Sequence, residues 1–184
     1  MTQDMTALVK QRQDPLQDRY TNAPYAARIT DHAVASNRGA DPFHGTVTAG
    51  DSPDASWDFG LHRAVGGDHD LPNPGDLLCA ALAACLGSTL RMIAARMAVP
   101  LDSVEVAVRA HVDVRGCLMV DRAVPAGFER IDVDVFLNPA AGADPEQIRM
   151  LASAAERCCV VLQTLRSDVP VTTKFRETAE RARV

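Results

Sequence analysis

The sequence predicts an α+β fold in which two long core helices cover one face of antiparallel sheet. Three observations carry that reading. The stretch Pro72–Val99 is rich in Ala and Leu and, from Leu77 to Leu90, polar only at Ser88 and Thr89, which marks a helix apolar on nearly every face. Residues 104–115 and 128–137 alternate apolar and polar side chains, the period of a half-buried strand. Residues 144–166 then space Ile148, Leu151, Ala152, Ala155, Cys159 and Leu162 as one apolar stripe, the mark of an amphipathic helix. The order strands, helix, two strands, helix, strand sets both helices against the same face of the sheet.

Residues 2–20 are polar apart from Leu8, Val9 and Leu16 and a few others, and predict a short helix broken at Pro15 or an ordered arm. Ile29, Ala33 and Val34 predict a strand over 26–35, and the turn Asn37-Arg38-Gly39-Ala40-Asp41-Pro42 ends it. Further strands are expected at 44–49 and 56–65; in the second, Trp57, Phe59 and Leu61 alternate with Asp58, Gly60 and His62. In the central helix Pro74 suits the first turn and Asp76 sets a carboxylate at the positive end of the dipole. Arg91 and Arg96 fall in the later turns, before Pro100. Beyond Pro100, Val104, Val106, Val108, Ala110, Val112 and Val114 share one strand face, and Phe128–Leu137 answers them across the connection 115–127. Asp144-Pro145-Glu146-Gln147 starts a helix, with Asp as cap, Pro in the first position and Gln three residues after the cap. That helix is expected to reach Arg166, with a last strand at 169–175.

A chain of 184 residues predicts one domain. A net charge of −5 without a basic stripe argues against nucleic acid as a partner. The N-terminus lacks the apolar run of a signal peptide. The central helix has the length of a membrane span, but Arg91, Arg96, Gly87 and its small residues argue against a membrane. The cysteines at 79, 85, 117, 158 and 159 are odd in number and do not form the framework of a secreted protein. The expected location is cytoplasmic. A helix this apolar asks for more cover than one sheet face gives, and a dimer in which two such helices meet would supply it.

Cys85 lies in the middle of the first helix and Cys159 well inside the second. If the helices pack together, the sulfurs come within disulfide range, which needs Cα atoms about 4.4–6.8 Å apart. In a reducing compartment such a pair is a redox device: one thiolate attacks an oxidant and becomes a sulfenic acid, and the other thiol condenses with it. The competing reading is that free cysteine fills a core like any small hydrophobe. Cys79, about 240° round the helix from Cys85, and Cys158 read as packing, and Cys117 as a bystander in a connection. The histidines (32, 44, 62, 69, 111) show no ligand spacing, so no metal is expected, and His44 and His62 line a cleft only if their strands do.

The run Pro72-Asn-Pro-Gly-Asp-Leu-Leu-Cys-Ala-Ala-Leu-Ala-Ala-Cys85-Leu resembles the first-cysteine helix motif of the OsmC/Ohr family, the osmotically inducible and organic hydroperoxide resistance proteins. Arg157-Cys158-Cys159-Val-Val-Leu-Gln-Thr-Leu165 resembles the family's second motif, Cys-Pro-Val-x-x-x-Leu; Leu165 is six positions after Cys159, so Cys159 rather than Cys158 matches. The resemblance spans roughly residues 29–175. It implies an OsmC-like domain at 26–176 between an N-terminal arm (1–25) and a C-terminal tail (177–184), in an intertwined homodimer with sites at the subunit interface. It further implies a thiol-dependent peroxidase with Cys85 as peroxidatic and Cys159 as resolving cysteine, a small organic hydroperoxide as substrate, no bound cofactor, and an external dithiol such as a lipoyl group as reductant. Val160 stands where the family's second motif has Pro, and Gly75 where the organic-hydroperoxide members carry Glu, with Asp76 beside it as the substitute acid. An arginine from the N-terminal strands accompanies the family's thiolate, and Arg38 is the nearest match, Arg63 the second. The need is physical, because a buried thiol is inert unless a cation or dipole favours its thiolate. The alternatives are a non-catalytic protein of the same fold that binds a small hydrophobic ligand, and a purely structural dimer.

Overall fold

The computed structural model describes residues 4–37, 39–52 and 54–177. Helix α1 (Met5–Asn22) starts at Asp4, whose carboxylate accepts the Thr6 and Ala7 N–H groups at 3.0 and 3.2 Å. It continues through Pro15, where a break was one expectation. Pro15 removes one helical hydrogen bond, but the helix is gripped on both sides of it: the Arg96 guanidinium bonds Asp14 Oδ1 and Gln17 Oε1, each at 2.8 Å. A 3-10 turn (Pro24–Ala27) takes the start of the expected 26–35 strand, which shrinks to β1 (Ala33–Ser36). With β2 (Gly45–Ala49) and β3 (Ser56–Phe59) it forms an antiparallel meander, Ala35 opposite Val47 and Val47 opposite Trp57. The expected strand to residue 65 stops at Phe59, and a 3-10 turn (Arg63–Val65) follows, closed by Gly66 at φ 93°.

Helix α2 (Pro74–Arg96) begins in a capping box. The Asn73 side chain accepts the Gly75 N–H at 2.8 Å, and the Asp76 carboxylate accepts the Asn73 N–H at 3.0 Å. The helix is long and apolar enough to cross a membrane; here it lies between a second sheet and the two later helices. That sheet pairs β4 (Leu101–His111) with β5 (Arg130–Pro139), Val106 opposite Val135 and Val108 opposite Val133. Its inner face packs Val106, Val108, Val133 and Ile131 on a core of Leu82, Leu86, Leu90, Leu151 and Leu162. Its outer face carries the ion pair Arg109–Asp134 at 2.5 Å and a His111–Asp132 contact at 2.9 Å. β4 ends earlier than the alternation suggests, because Asp113 caps a short helix α3 (Val114–Cys117) and draws Val114 out of the strand. Among the described residues, β1–β3 contributes nothing to the buried core.

The expected helix over 144–166 is two helices, α4 (Pro145–Cys158) and α5 (Val160–Leu165). Asp144 caps α4 as expected, accepting the Glu146 N–H at 2.9 Å. Cys159 then adopts an extended conformation, φ −73° and ψ 108°, and turns the chain. The Cys159 N–H still reaches Ala155 O at 2.9 Å, and its own carbonyl accepts from Gln163 N at 2.9 Å. The break leaves the Glu156 carbonyl without its helical donor, and the Gln163 side-chain amide takes that place at 2.7 Å. Residues 169–175, expected as a strand, form none: Val171 is 86% and Phe175 98% exposed. Alternation is present there, but no neighbouring strand offers the hydrogen bonds a sheet requires.

Candidate functional site

The turn at Cys159 frees the N–H groups of Val160, Val161 and Leu162 from the helical ladder. They point at two sulfurs. Cys85, at the centre of α2, is half-buried, and Cys159, at the break, is fully buried. Both thiols are free, and each perturbs the other.

Their environments differ in sign. Burial pushes the Cys85 thiol up, but the Val161 N–H, the Cys159 S–H, the Val160 N–H and the Thr89 hydroxyl all donate to its sulfur. Together they hold it below the ordinary thiol range. Burial also pushes Cys159 up; the Leu162 and Val161 N–H groups oppose this, while the charge on Cys85 raises it further, so Cys159 stays above that range. The arrangement favours the thiolate form at Cys85 more than at Cys159, where the neutral thiol is favoured. Among the described residues Thr89 is the buried polar one, and it stands one turn from Cys85 on the same face of α2. Sequence reasoning passed over it, although a hydroxyl four residues from a cysteine on a helix was a usable signal.

Arg38 lies outside the described residues. Arg63 sits exposed in the 3-10 turn, and among the described residues no guanidinium is one of the groups that shift Cys85. Asp76 is engaged in the capping box, nine residues before Cys85 and so about 13 Å along the helix axis on the opposite face. The structure therefore brings Cys85 and Cys159 together and leaves Asp76 and Arg63 apart from them. The thiolate is favoured by backbone amides and a hydroxyl instead of a cation. Leu82 and Leu162, each three residues from one of the cysteines, line a cavity of about 430 Å³ with Phe128, Ile131 and Leu165 and the charged Glu129, Arg130 and Arg166; neither cysteine lines it.

His44 does line a cleft, of about 470 Å³, with Asp41, Thr46 and Asp58. Its ring spans two carboxylates, Nδ1 to Asp41 at 2.7 Å and Nε2 to Asp70 at 3.1 Å. His62 instead accepts the Ala64 N–H at 3.0 Å and meets the His69 ring edge-on at 4.4 Å. Among the described residues, no three His, Cys, Asp or Glu side chains gather as a metal site.

Fold and site together define an α+β protein with a paired-cysteine centre between its core helices. The OsmC-like protein family model matches residues 67–174, and the chain belongs to that family. A solved structure of an organic hydroperoxide resistance protein OsmC from Legionella pneumophila is 22% identical, over 76% of this chain and 91% of that one, with a TM-score of 0.55. An OsmC-like protein of unknown function from Vibrio cholerae is 11% identical over 74% and 94%, with a TM-score of 0.59. An OsmC-like protein from Mycoplasma pneumoniae is 14% identical over 75% and 88%, with a TM-score of 0.58. At these identities the likeness establishes the fold. No curated protein matches the chain.

Proposed function

We propose that the protein is a thiol-dependent peroxidase that reduces organic hydroperoxides through a Cys85–Cys159 disulfide cycle. One feature carries the reading: two free thiols that act on each other, Cys85 held down and Cys159 held up. The Cys85 thiolate attacks the terminal oxygen of the hydroperoxide, the O–O bond breaks, and the alkoxide takes a proton and leaves as an alcohol. The sulfenic acid on Cys85 then condenses with the Cys159 thiol, forming the S–S bond and releasing water. An external dithiol, such as a lipoyl group, reduces that bond by thiol–disulfide exchange and is itself oxidised to a disulfide. The cavity at Leu82, Phe128 and Leu162, with Arg130 and Arg166 on its rim, offers an apolar wall for the alkyl part of the substrate. A cytoplasmic homodimer is part of the reading. It is supported by a β1–β3 sheet outside the core and by the exposed Val169, Val171 and Phe175, which a second copy would cover.

The test is consumption of cumene hydroperoxide with a dithiol as reductant. Wild type turns over and gains an internal disulfide, a loss of two protons by mass; Cys85→Ser loses at least about 10³-fold of the activity. Sulfenic or overoxidised Cys85 without an internal disulfide defeats the two-cysteine cycle. The competing reading, a non-catalytic binder of a small hydrophobic ligand, is favoured by the lack of a guanidinium at Cys85 among the described residues. It predicts no turnover in either protein.

A further inference from the structure

A sizeable cavity lies away from the thiols. It holds about 720 Å³ between α1, the C-terminal half of α2 and the start of β4, within the size of ordinary small-molecule pockets. The reason for the gap is the way α1 is attached. No residue of α1 is buried; the helix is held by polar contacts from Arg96 to Asp14 and Gln17, so its N-terminal half stands off from α2. Met5 and Val9 face the gap from α1, and Met92, Ala95 and Ala98 line the opposite wall. Small alanines make the room, and two flexible methionines can close on an irregular guest.

One wall is charged. Arg91 lines the cavity beside Ser88, and its guanidinium makes only a 3.4 Å contact to the Leu101 carbonyl. Among the described residues no carboxylate lies within ion-pairing distance of it; Asp102 lines the adjoining cavity on its other side without pairing. Nor does Arg91 share the thiol site: it is six residues after Cys85, about 240° round α2. An apolar slot ending at a guanidinium without a carboxylate partner matches a hydrocarbon chain ending in a carboxylate, which arginine binds through two parallel N–H bonds.

We infer that the α1–α2 cavity is a second binding site, separate from the cysteine pair, for an anionic amphiphile with an alkyl chain and a terminal carboxylate. The probe is decanoate, titrated by calorimetry into the reduced full-length chain, with decanol as the uncharged control. Wild type binds decanoate more tightly than decanol. Arg91→Ala weakens decanoate at least tenfold and leaves decanol unchanged, Arg91→Lys recovers part of the loss, and Ala95→Trp abolishes both. Cys85→Ser binds as wild type does, so the result is independent of peroxidase turnover, and thermal melts establish that each variant is folded. Decanoate binding that survives both Arg91→Ala and Ala95→Trp overturns the inference, as does binding lost instead on Phe128→Trp at the cavity lined by Leu82 and Phe128. If wild type binds no decanoate, and Ala95→Trp converts a dimer to monomer, the slot belongs to a second copy of the chain and the proposal fails.

Discussion

The middle of α2 and the break between α4 and α5 each present a cysteine to the other, yet the two sulfurs are driven in opposite directions. Cys85 rests in an unbroken helix whose own amides are all engaged in the ladder, so it takes donors from elsewhere. Cys159 sits where the ladder is interrupted, and the interruption supplies those donors, Val160 and Val161 to Cys85 and Val161 and Leu162 to Cys159 itself. Burial alone would have raised both thiols. The difference teaches that hydrogen-bond direction, more than depth, decides which sulfur is the nucleophile.

The largest test of that contrast replaces the thiol that is held up. Cys159→Ser is expected to let Cys85 react once with hydroperoxide at near the wild-type rate, while dithiol-driven turnover falls about tenfold or more and sulfinic acid accumulates on Cys85. Rapid-mixing kinetics with mass spectrometry separates the two steps; an unreactive Cys85 in this variant would reverse the assignment of roles. Val160→Pro acts on one donor only. Proline removes the N–H that Val160 gives to Cys85, and a hydrogen bond to a charged group is strong enough that loss of reactivity at neutral pH should be about tenfold. The same variant moves the pH–rate profile of Cys85 upward. The sign follows from linkage: a lowered thiol is reactive above its folded-state value and fades as pH falls through it, so raising that value shifts the fade to higher pH. Thr89→Val keeps the shape and removes the hydroxyl, and about threefold slower reaction is expected. An unchanged rate would mean that the Thr89 contact does not favour the thiolate.

The smallest effect on the thiols is expected from His44, which serves as the control region. The Asp41 hydrogen bond, then that of Asp70, raises His44; Asp41 is lowered first by the Phe43 N–H and then by His44, and Asp70 first by His44. The raised His group stabilises the fold fully below the ordinary histidine range and loses that contribution as pH rises through its folded value. The lowered carboxylates contribute above the ordinary carboxylate range and lose it as pH falls through theirs. His44→Gln should therefore flatten the fall in melting temperature on the alkaline side of that window while leaving the Cys85 pH–rate profile in place. A shifted thiol profile would tie the two regions together.

Much of this was legible beforehand. The Asn73–Asp76 region reads as a helix start from composition, and β4–β5 reads as a strand pair because one face must be apolar and the other wet. The two cysteines were visible as members of two greasy helices. The break at Cys159 was not, because Ala155, Cys159 and Leu162 keep helical spacing across it, and periodicity records faces rather than hydrogen bonds. What permits the break is one side chain, Gln163, standing in for a lost backbone donor at Glu156. The strand expected at 169–175 failed for a related reason: its alternation names a face but not the neighbour that would bond to it. Pro15 misled because the grip of Arg96 comes from residues far along the chain.

The meander β1–β3 packs none of its side chains into the core built on α2. A region joined to the rest chiefly through the chain itself can open without melting what lies beyond it. If another protomer shelters it, dilution becomes a denaturant: the same protein melts lower at nanomolar than at high micromolar concentration, as mass action requires whenever association favours the folded form.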